Sequence, residues 1–192
     1  MGRLFPFSRH SHLNSDERKG FQDIEFFLKA IPFSQKRDMM YIDLCCGTGY
    51  FTLPVAKRLG DNGAVYAIDI QGGMLSELKK IIMEQKLKNI MMIQGDILSL
   101  FLKEKTADIV NIGNSLHELK QPETSLREIK RILKPDGKFI IVDWEKTESP
   151  FGPPVNGRIS SEEAIGLLEK VGFKSFEKLS YPRYFYLLTC HL

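Results

Sequence analysis

The chain has 192 residues, of which 43% are hydrophobic and 27% charged, a balance that suits one soluble domain with its own core and leaves no room for two full catalytic domains. Lys and Arg number 27 against 24 Asp and Glu, a formal charge of +3 with the two signs interspersed, which argues against a dedicated nucleic-acid binder with its basic patch or stripe. Cys45, Cys46 and Cys190 form neither a disulfide framework nor a zinc spacing. The apolar run at the start, Met1 to Phe7, is too short for a signal peptide, and no later run approaches the ~20 residues of a membrane span. The expectation is a cytoplasmic protein that neither crosses a membrane nor binds nucleic acid.

In chain order, Ser15-Asp-Glu-Arg opens an N-terminal helix whose Phe21, Ile24, Phe27, Leu28 and Ile31 form an apolar stripe. No strand precedes it, so it is expected to pack on or cap a sheet. From there, short apolar runs alternate with longer segments of helical period, the grammar of βαβ units. Strands are predicted at Met39–Cys45, Ala64–Ile70, Ile90–Gln94, Ala107–Gly113 and Lys138–Trp144, nearly all apolar, as befits strands covered on both faces. Helices are predicted at Phe51–Leu59, Met74–Lys86 and Pro122–Leu133. Pro122 suits a first helical position, and Pro135-Asp-Gly makes the turn into the next strand. Ser160 and Glu163 have capping-box spacing at the start of a further helix that closes at Gly172. Two last strands, Phe173–Leu179 and Tyr184–His191, join through Tyr181-Pro-Arg, too short for a parallel crossover, so the last strand should run antiparallel to its neighbour.

The densest signal is Ile42-Asp-Leu-Cys-Cys-Gly-Thr-Gly-Tyr-Phe51, a strand, a glycine turn and a helix start, with Asp69 following 20 residues after Gly49. Glycines let the backbone turn sharply and approach a ligand closely, and a carboxylate at a strand end accepts both hydroxyls of a ribose. The pattern is that of a nucleoside-cofactor site. The dinucleotide fingerprint places a third glycine three positions after Gly49, where this chain has Thr52, which weakens a nicotinamide reading.

Here the sequence resembles the class I S-adenosylmethionine-dependent methyltransferases. Asp43-Leu-Cys-Cys-Gly-Thr-Gly is similar to their first motif, Ala67-Ile-Asp-Ile to their second, Gln94-Gly-Asp-Ile to their third, and Asn111-Ile-Gly-Asn-Ser-Leu-His-Glu-Leu to their fourth. Leu133-Lys-Pro-Asp-Gly-Lys-Phe resembles the turn before their fifth strand. The likeness is to the small-molecule group that includes quinone-biosynthesis and arsenite methyltransferases. It implies an α/β Rossmann-like fold: a seven-stranded, mostly parallel sheet of order 3-2-1-4-5-7-6, the last strand antiparallel, with helices on both faces and an N-terminal helical cap. One domain is expected over residues 1–192, with 1–34 as cap segment and 35–192 as core. S-adenosylmethionine is the implied cofactor and S-adenosylhomocysteine the product.

The resemblance also implies roles. Gly47 and Gly49 abut the methionine moiety, whose carboxylate lies near the positive start of the next helix. Asp43 receives the ammonium group, directly or through water, Asp69 the ribose diol and Asp96 the adenine amino group. Ile70 and Ile97 cover the ring, and the Asn114 carbonyl faces the ammonium. Each has a plain competitor: Asp43 and Asp69 as helix caps, Asp96 as a turn residue, Cys45 and Cys46 as small core residues. His117, just past the fourth strand, is the candidate catalytic base for a hydroxyl or an acidic carbon, against a role in shaping its own loop; Asp143 is a second candidate. Substrate choice falls to the segment with Phe5, Phe7, His10 and His12 and to the stretch Trp144–Ile159, where Arg158 is either an anion partner or a solvated surface residue. No metal site is expected, since His10 and His12 lack a third ligand. The resemblance implies a small-molecule acceptor that attacks in line, and the absence of an Asn-Pro-Pro-Tyr- or Asp-Pro-Pro-Tyr-type fourth motif favours oxygen, carbon or sulfur as the attacking atom. Two other readings stay open, a noncatalytic cofactor-binding subunit and an NAD-dependent oxidoreductase.

Overall fold

A computed structural model describes residues 4–33, 38–179, 181 and 184–192 of the chain. Seven strands form one sheet: β1 (Met39–Leu44), β2 (Gly63–Asp69), β3 (Ile90–Gln94), β4 (Ala107–Gly113), β5 (Leu133–Trp144), β6 (Lys174–Leu179) and β7 (Phe185–His191), in the order β3-β2-β1-β4-β5-β7-β6. The pairs β1–β2, β1–β4, β2–β3 and β4–β5 are parallel, and β7 runs antiparallel to both β5 and β6. The expected order and orientation are those observed. Successive crossovers leave β1 in opposite directions, so a crevice opens where the C-terminal ends of β1 and β4 diverge, the place where open α/β sheets bind ligands.

Alternation along each central strand divides the core into two faces. Ile42, Val110, Ile112 and Ile141 pack under Leu126, Ile129 and Ile132 of α5 (Pro122–Ile132) and Ala164 and Leu168 of α6 (Ser161–Val171). Tyr41, Val65, Ile109 and Val142 face Val55 and Ala56 of α3 (Thr52–Leu59). Leu75 and Leu78 of α4 (Gly72–Glu84) cover Ala67 of β2. Both predicted helix ends of α6 are present: Ser160 and Glu163 complete a capping box, and Gly172 takes the left-handed conformation at φ 90°.

Several boundaries shift by one or more residues, and four of the shifts have a clear local reason. β1 stops at Leu44 because Cys45 turns into the left-handed region at φ 55°. β2 stops at Asp69, whose side chain accepts the backbone N–H of Gln71 and so turns the chain before Ile70 can pair. α4 begins two residues before Met74, directly after Gln71. β5 starts at Leu133, paired with Ala107, and bulges around Pro135-Asp-Gly before regaining register at Lys138 opposite Ile109. Of the link predicted between the last strands, Ser180, Pro182 and Arg183 lie outside the described residues, as do residues 34–37 at the expected join of cap and core.

The N-terminal segment departs most from its sequence pattern. In place of one helix there is a 3-10 turn, Phe7–Asn14, and two short helices, α1 (Asp16–Phe21) and α2 (Ile24–Lys29). The break falls at Gln22 and Asp23, both extended, where the Asp23 carboxylate accepts the N–H groups of Glu25 and Phe26 and starts α2 afresh. The apolar stripe still does its work, since Phe27 and Leu28 are buried against the sheet beside Tyr41 and Phe51. Among the described residues no helix is long and apolar enough to cross a membrane. Removing the α2 cap with Asp23→Ala should cost about 1 kcal/mol, measured as a lower urea midpoint at unchanged slope.

Candidate active site

The glycine turn closes the crevice from below. Gly47 and Gly49 have φ 53° and 89°, and a Cβ on Gly49 would stand 2.5 Å from Leu78 Cδ1 of α4, so both conformation and helix packing require glycine there. Asp69 pins the turn in place. One carboxylate oxygen accepts the Gly47 N–H at 2.8 Å and the other the Gln71 N–H at 2.8 Å, while the Asp69 carbonyl accepts from Gly95 at 3.1 Å. Burial raises the Asp69 pKa, and the N–H groups of Gln71 and Gly47 hold it back.

Asp43 lies deeper. It is buried, with one oxygen accepting from the Thr52 hydroxyl at 2.5 Å and the other from Asn111 Nδ2 at 2.8 Å. Burial lifts its pKa to about 6, the two hydrogen bonds pull it down and the nearby Asp69 adds to the rise. Thr52 therefore does more than break a dinucleotide fingerprint: its hydroxyl braces the first-motif carboxylate. Asn114, at φ 55°, follows β4 on the other side of the crevice and exchanges two side-chain hydrogen bonds with Gln22, each 3.0 Å.

Farther along, Ile70 is 44% exposed, Asp96 is exposed with one oxygen on the Leu98 N–H at 3.0 Å, and Ile97 is half-buried against the core. The fold thus gathers Asp43, Gly47, Gly49, Asp69 and Ile70 at the ends of β1 and β2. Asp96 and Ile97 lie beyond β3, and Asn114 beyond β4. Cys45 and Cys46 have their thiol pKa values raised, by burial and then by nearby carboxylates, and are packing residues rather than nucleophiles.

His117 sits in a 3-10 turn, Leu116–Glu118, past β4. Its Nδ1 is 2.7 Å from Asp143 Oδ1, and its backbone N–H donates to Asp143 Oδ2 at 3.1 Å. Asp143 is fully buried at the end of β5, and the two candidate residues contact each other. Burial alone lowers the imidazole pKa, but the charge and hydrogen bond of Asp143, with Glu118, outweigh it and raise the pKa overall. Glu118, 3.9 Å from His117 Nε2, is pushed by burial up to about 7 against the pull of His117 and the Phe5 N–H.

The N-terminal segment lies across this mouth, as the sequence suggested. Phe5 donates its N–H to Glu118 and accepts from Gln71, a Cβ on Gly73 would meet the Phe7 ring and one on Gly47 would meet Leu13, and Asn14 donates to Thr48. His10 stacks on Phe7 and bonds its carbonyl oxygen. No group of three metal-ligating side chains occurs among the described residues.

Arg158 is neither solvated nor free for an anion. It is 4% exposed, stacks 5.0 Å over Trp144 and donates to the carbonyls of Pro153, Glu145 and Thr147 and the hydroxyl of Ser149, which fastens the Trp144–Ile159 stretch to itself. A surface cavity of about 400 Å³ beside α6, lined by Lys146, Ile159, Glu163 and Lys170 among others, shares no residue with the glycine turn. Sequence reasoning missed the buried Arg18 and Gln22. The available signal was their spacing of four on the side of a helix that Phe21 marks as inward-facing.

A family described as "Methyltransferase domain" matches residues 35–170. The chain belongs to that family. Over 152 residues it is 36% identical to the demethylmenaquinone methyltransferase of Lactobacillus johnsonii, covering 79% of this chain and 55% of that protein. Over 110 residues it is 33% identical to the 2-phytyl-1,4-naphtoquinone methyltransferase of Nostoc punctiforme, covering 57% of this chain and 48% of that one. The chain thus spans about half the length of the curated relatives it matches. A crystal structure of a SAM dependent methyltransferase from Aquifex aeolicus superposes with a TM-score of 0.90 at 29% identity, over 97% of this chain and 98% of that one.

In this methyltransferase domain the acid beside His117 has a consequence for stability. Glu118 ionises near pH 7 in the folded chain, against an ordinary value of 4.5, so folding loses stability as pH climbs across that interval and the loss is complete above it. Glu118→Gln keeps an acceptor for the Phe5 N–H without the charge. Its melting temperature should exceed the parent's at pH 8, by about 2–4 °C per kcal/mol relieved, and converge with it toward pH 4.5.

Proposed function

We propose that the protein is an S-adenosylmethionine-dependent methyltransferase whose acceptor is a small aromatic molecule of the naphthoquinone class in its reduced, hydroxylated form. The observation that carries this reading is the family match over residues 35–170, set on a glycine turn and strand-end carboxylate at the β1–β4 crevice. The names of the relatives support the acceptor class. Residues 1–192 are read as one domain, with 1–34 as the cap.

The residues present suit the cofactor. Asp69 keeps lone pairs for a vicinal diol beyond those occupied by Gly47 and Gln71. Ile70 offers an exposed apolar surface beside it, Ile97 a second one, and Asp96 has an oxygen not engaged by Leu98. Asp43 sets a negative charge beneath the turn, where an ammonium group is attracted through space or through water. The Asn114 carbonyl adds a dipole from the far side. When bound, S-adenosylmethionine supplies a methyl group made electrophilic by its sulfonium.

What this chain adds is alignment and a proton acceptor. With the proton on Nδ1 held by Asp143, His117 presents Nε2 as a base. It takes the proton from an acceptor hydroxyl, which raises electron density on the adjacent ring carbon. That carbon takes the methyl as the methyl's bond to the sulfonium breaks and leaves a neutral thioether. The ring carbon then gives up its own hydrogen to solvent as a proton, and His117 returns the first proton to the oxygen. Asp143 stabilises the imidazolium that forms. The crevice holds the two reactants in line, an effect that supplies up to roughly 7–11 kcal/mol.

Calorimetric titration with S-adenosylhomocysteine, with NADH in parallel, tests the cofactor: one-to-one binding near the micromolar range is expected for the former and none for the latter. Transfer of labelled methyl to a short-tailed reduced naphthoquinone tests the acceptor. His117→Gln should lower turnover on the order of 100-fold at unchanged S-adenosylhomocysteine affinity. Tight binding with no transfer to any acceptor would favour the noncatalytic subunit, and binding of NADH alone would overturn the methyltransferase reading.

A further inference from the structure

Arg18 is the buried charge that the site described so far leaves without a task. It belongs to α1, outside every cofactor motif, yet it is 9% exposed and its guanidinium carbon stands 3.9 Å over the ring of Tyr50 and 5.8 Å from that of Phe51. Those are the two residues between Gly49 and the first residue of α3, so the cation rests on the glycine turn itself. Nε donates to Gln22 Oε1 at 2.8 Å and Nη1 to the Leu13 carbonyl at 2.9 Å. Gln22 is in turn clasped to Asn114 past β4, and the neighbouring Asn14 is bonded to Thr48 inside the turn. The N-terminal segment thereby carries one guanidinium to the join between turn, α3 and β4.

We propose that Arg18 binds the carboxylate of the amino-acid moiety of the nucleoside cofactor. This rests on the S-adenosylmethionine reading and adds a residue to it. Burial lowers the guanidinium to about 10, with Tyr50, Tyr181 and Asp43 opposing the drop, so it stays charged at neutral pH. A buried cation is costly until an anion compensates it. Its planar fork suits a carboxylate, and a single cation matches a single negative charge better than it matches a diphosphate. Among the described side chains no carboxylate pairs with it by contact. The two bonds to Gln22 and Leu13 leave other N–H donors of the fork for a ligand.

The test compares two nucleosides on the full chain. S-adenosylhomocysteine carries the carboxylate, and 5′-methylthioadenosine keeps the adenosine and thioether without it. Arg18→Met should weaken S-adenosylhomocysteine about tenfold to a hundredfold and leave 5′-methylthioadenosine within about twofold. Arg18→Lys, which keeps a buried charge but not the fork, should fall between parent and Arg18→Met and supplies the same comparison should the methionine variant fail to fold. Equal losses for both nucleosides would make Arg18 a structural strut and overturn the assignment, as would no loss for either. A parent protein that binds both nucleosides equally well also overturns it while leaving the cofactor reading intact. A parent that binds neither removes the cofactor reading and this assignment together.

Discussion

The hydrogen bonds from the backbone amides of Gly47 and Gln71 to the Asp69 carboxylate are the constraint on which the site depends. They tie the turn after β1 to the end of β2, two segments that the parallel ladder alone leaves free once the strands stop. Together with the Cys46 N–H on the Ile68 carbonyl and the Gly49 N–H on the Cys46 carbonyl, that tie selects the left-handed geometry of Gly47 and Gly49. The cost is a carboxylate buried at the floor of a crevice, and its raised pKa records that cost. A group held this way is fixed in orientation by amides on both sides. Preorganised oxygens of this kind recognise a diol with little reordering on binding.

A second buried carboxylate repeats the arrangement one layer down. Asp43 is satisfied by Thr52 from α3 and Asn111 from β4, so a single side chain joins a strand, a helix and the neighbouring strand at the point where the sheet's direction of winding reverses. Burial raises the pKa of Asp43, and the charge of Asp69 adds to that rise. Nearby carboxylates without a buried cation in contact make an electronegative floor. A ligand bearing cationic groups at this end of the crevice relieves that potential, which is a physical reason for the fold to favour an ammonium and a sulfonium over phosphates here.

Much of this was legible in the residues. Apolar runs bounded by turns and caps marked β1, β2, β4, β5 and β7, because a strand buried on both faces has nowhere to place polar residues. The edge strand β6 is largely polar and exposed and does not follow that rule. Ser160, Glu163 and Gly172 announced α6 through cap chemistry that depends on local spacing alone. The order of strands came from the family resemblance, not from periodicity. What stayed hidden depended on contacts across the chain. The stripe from Phe21 to Ile31 reads as one helix, and only the competing cap at Asp23 and the burial of Gln22 under Tyr50 split it. Arg158 looked like a surface residue because its spacing does not show that Glu145, Thr147, Ser149, Phe151 and Pro153 present oxygens to it. Thr52 looked like a missing glycine until its hydroxyl was seen on Asp43.

The same long-range contacts explain why the N-terminal segment belongs to the site and not merely to the surface. The residues proposed to hold the cofactor stand mostly at the ends of β1, β2 and β3, while His117, Asp143 and Glu118 stand at the ends of β4 and β5. Within the sheet the β1–β4 ladder and the bond from Asn111 to Asp43 join these halves. The cap spans them: Phe5 bonds Glu118 on one half and Gln71 on the other, and Gln22 bonds Asn114 while its carbonyl accepts from Tyr50. Any group that enters between the halves must therefore either fit beneath the cap or displace it. The polar contacts of the cap include the buried bonds of Arg18 and Tyr50 to Gln22, and Phe7 against Gly73 and Leu13 against Gly47 add apolar contact. A cap held by both polar and apolar contacts fits the proposed reaction, in which His117 takes a proton out of contact with water.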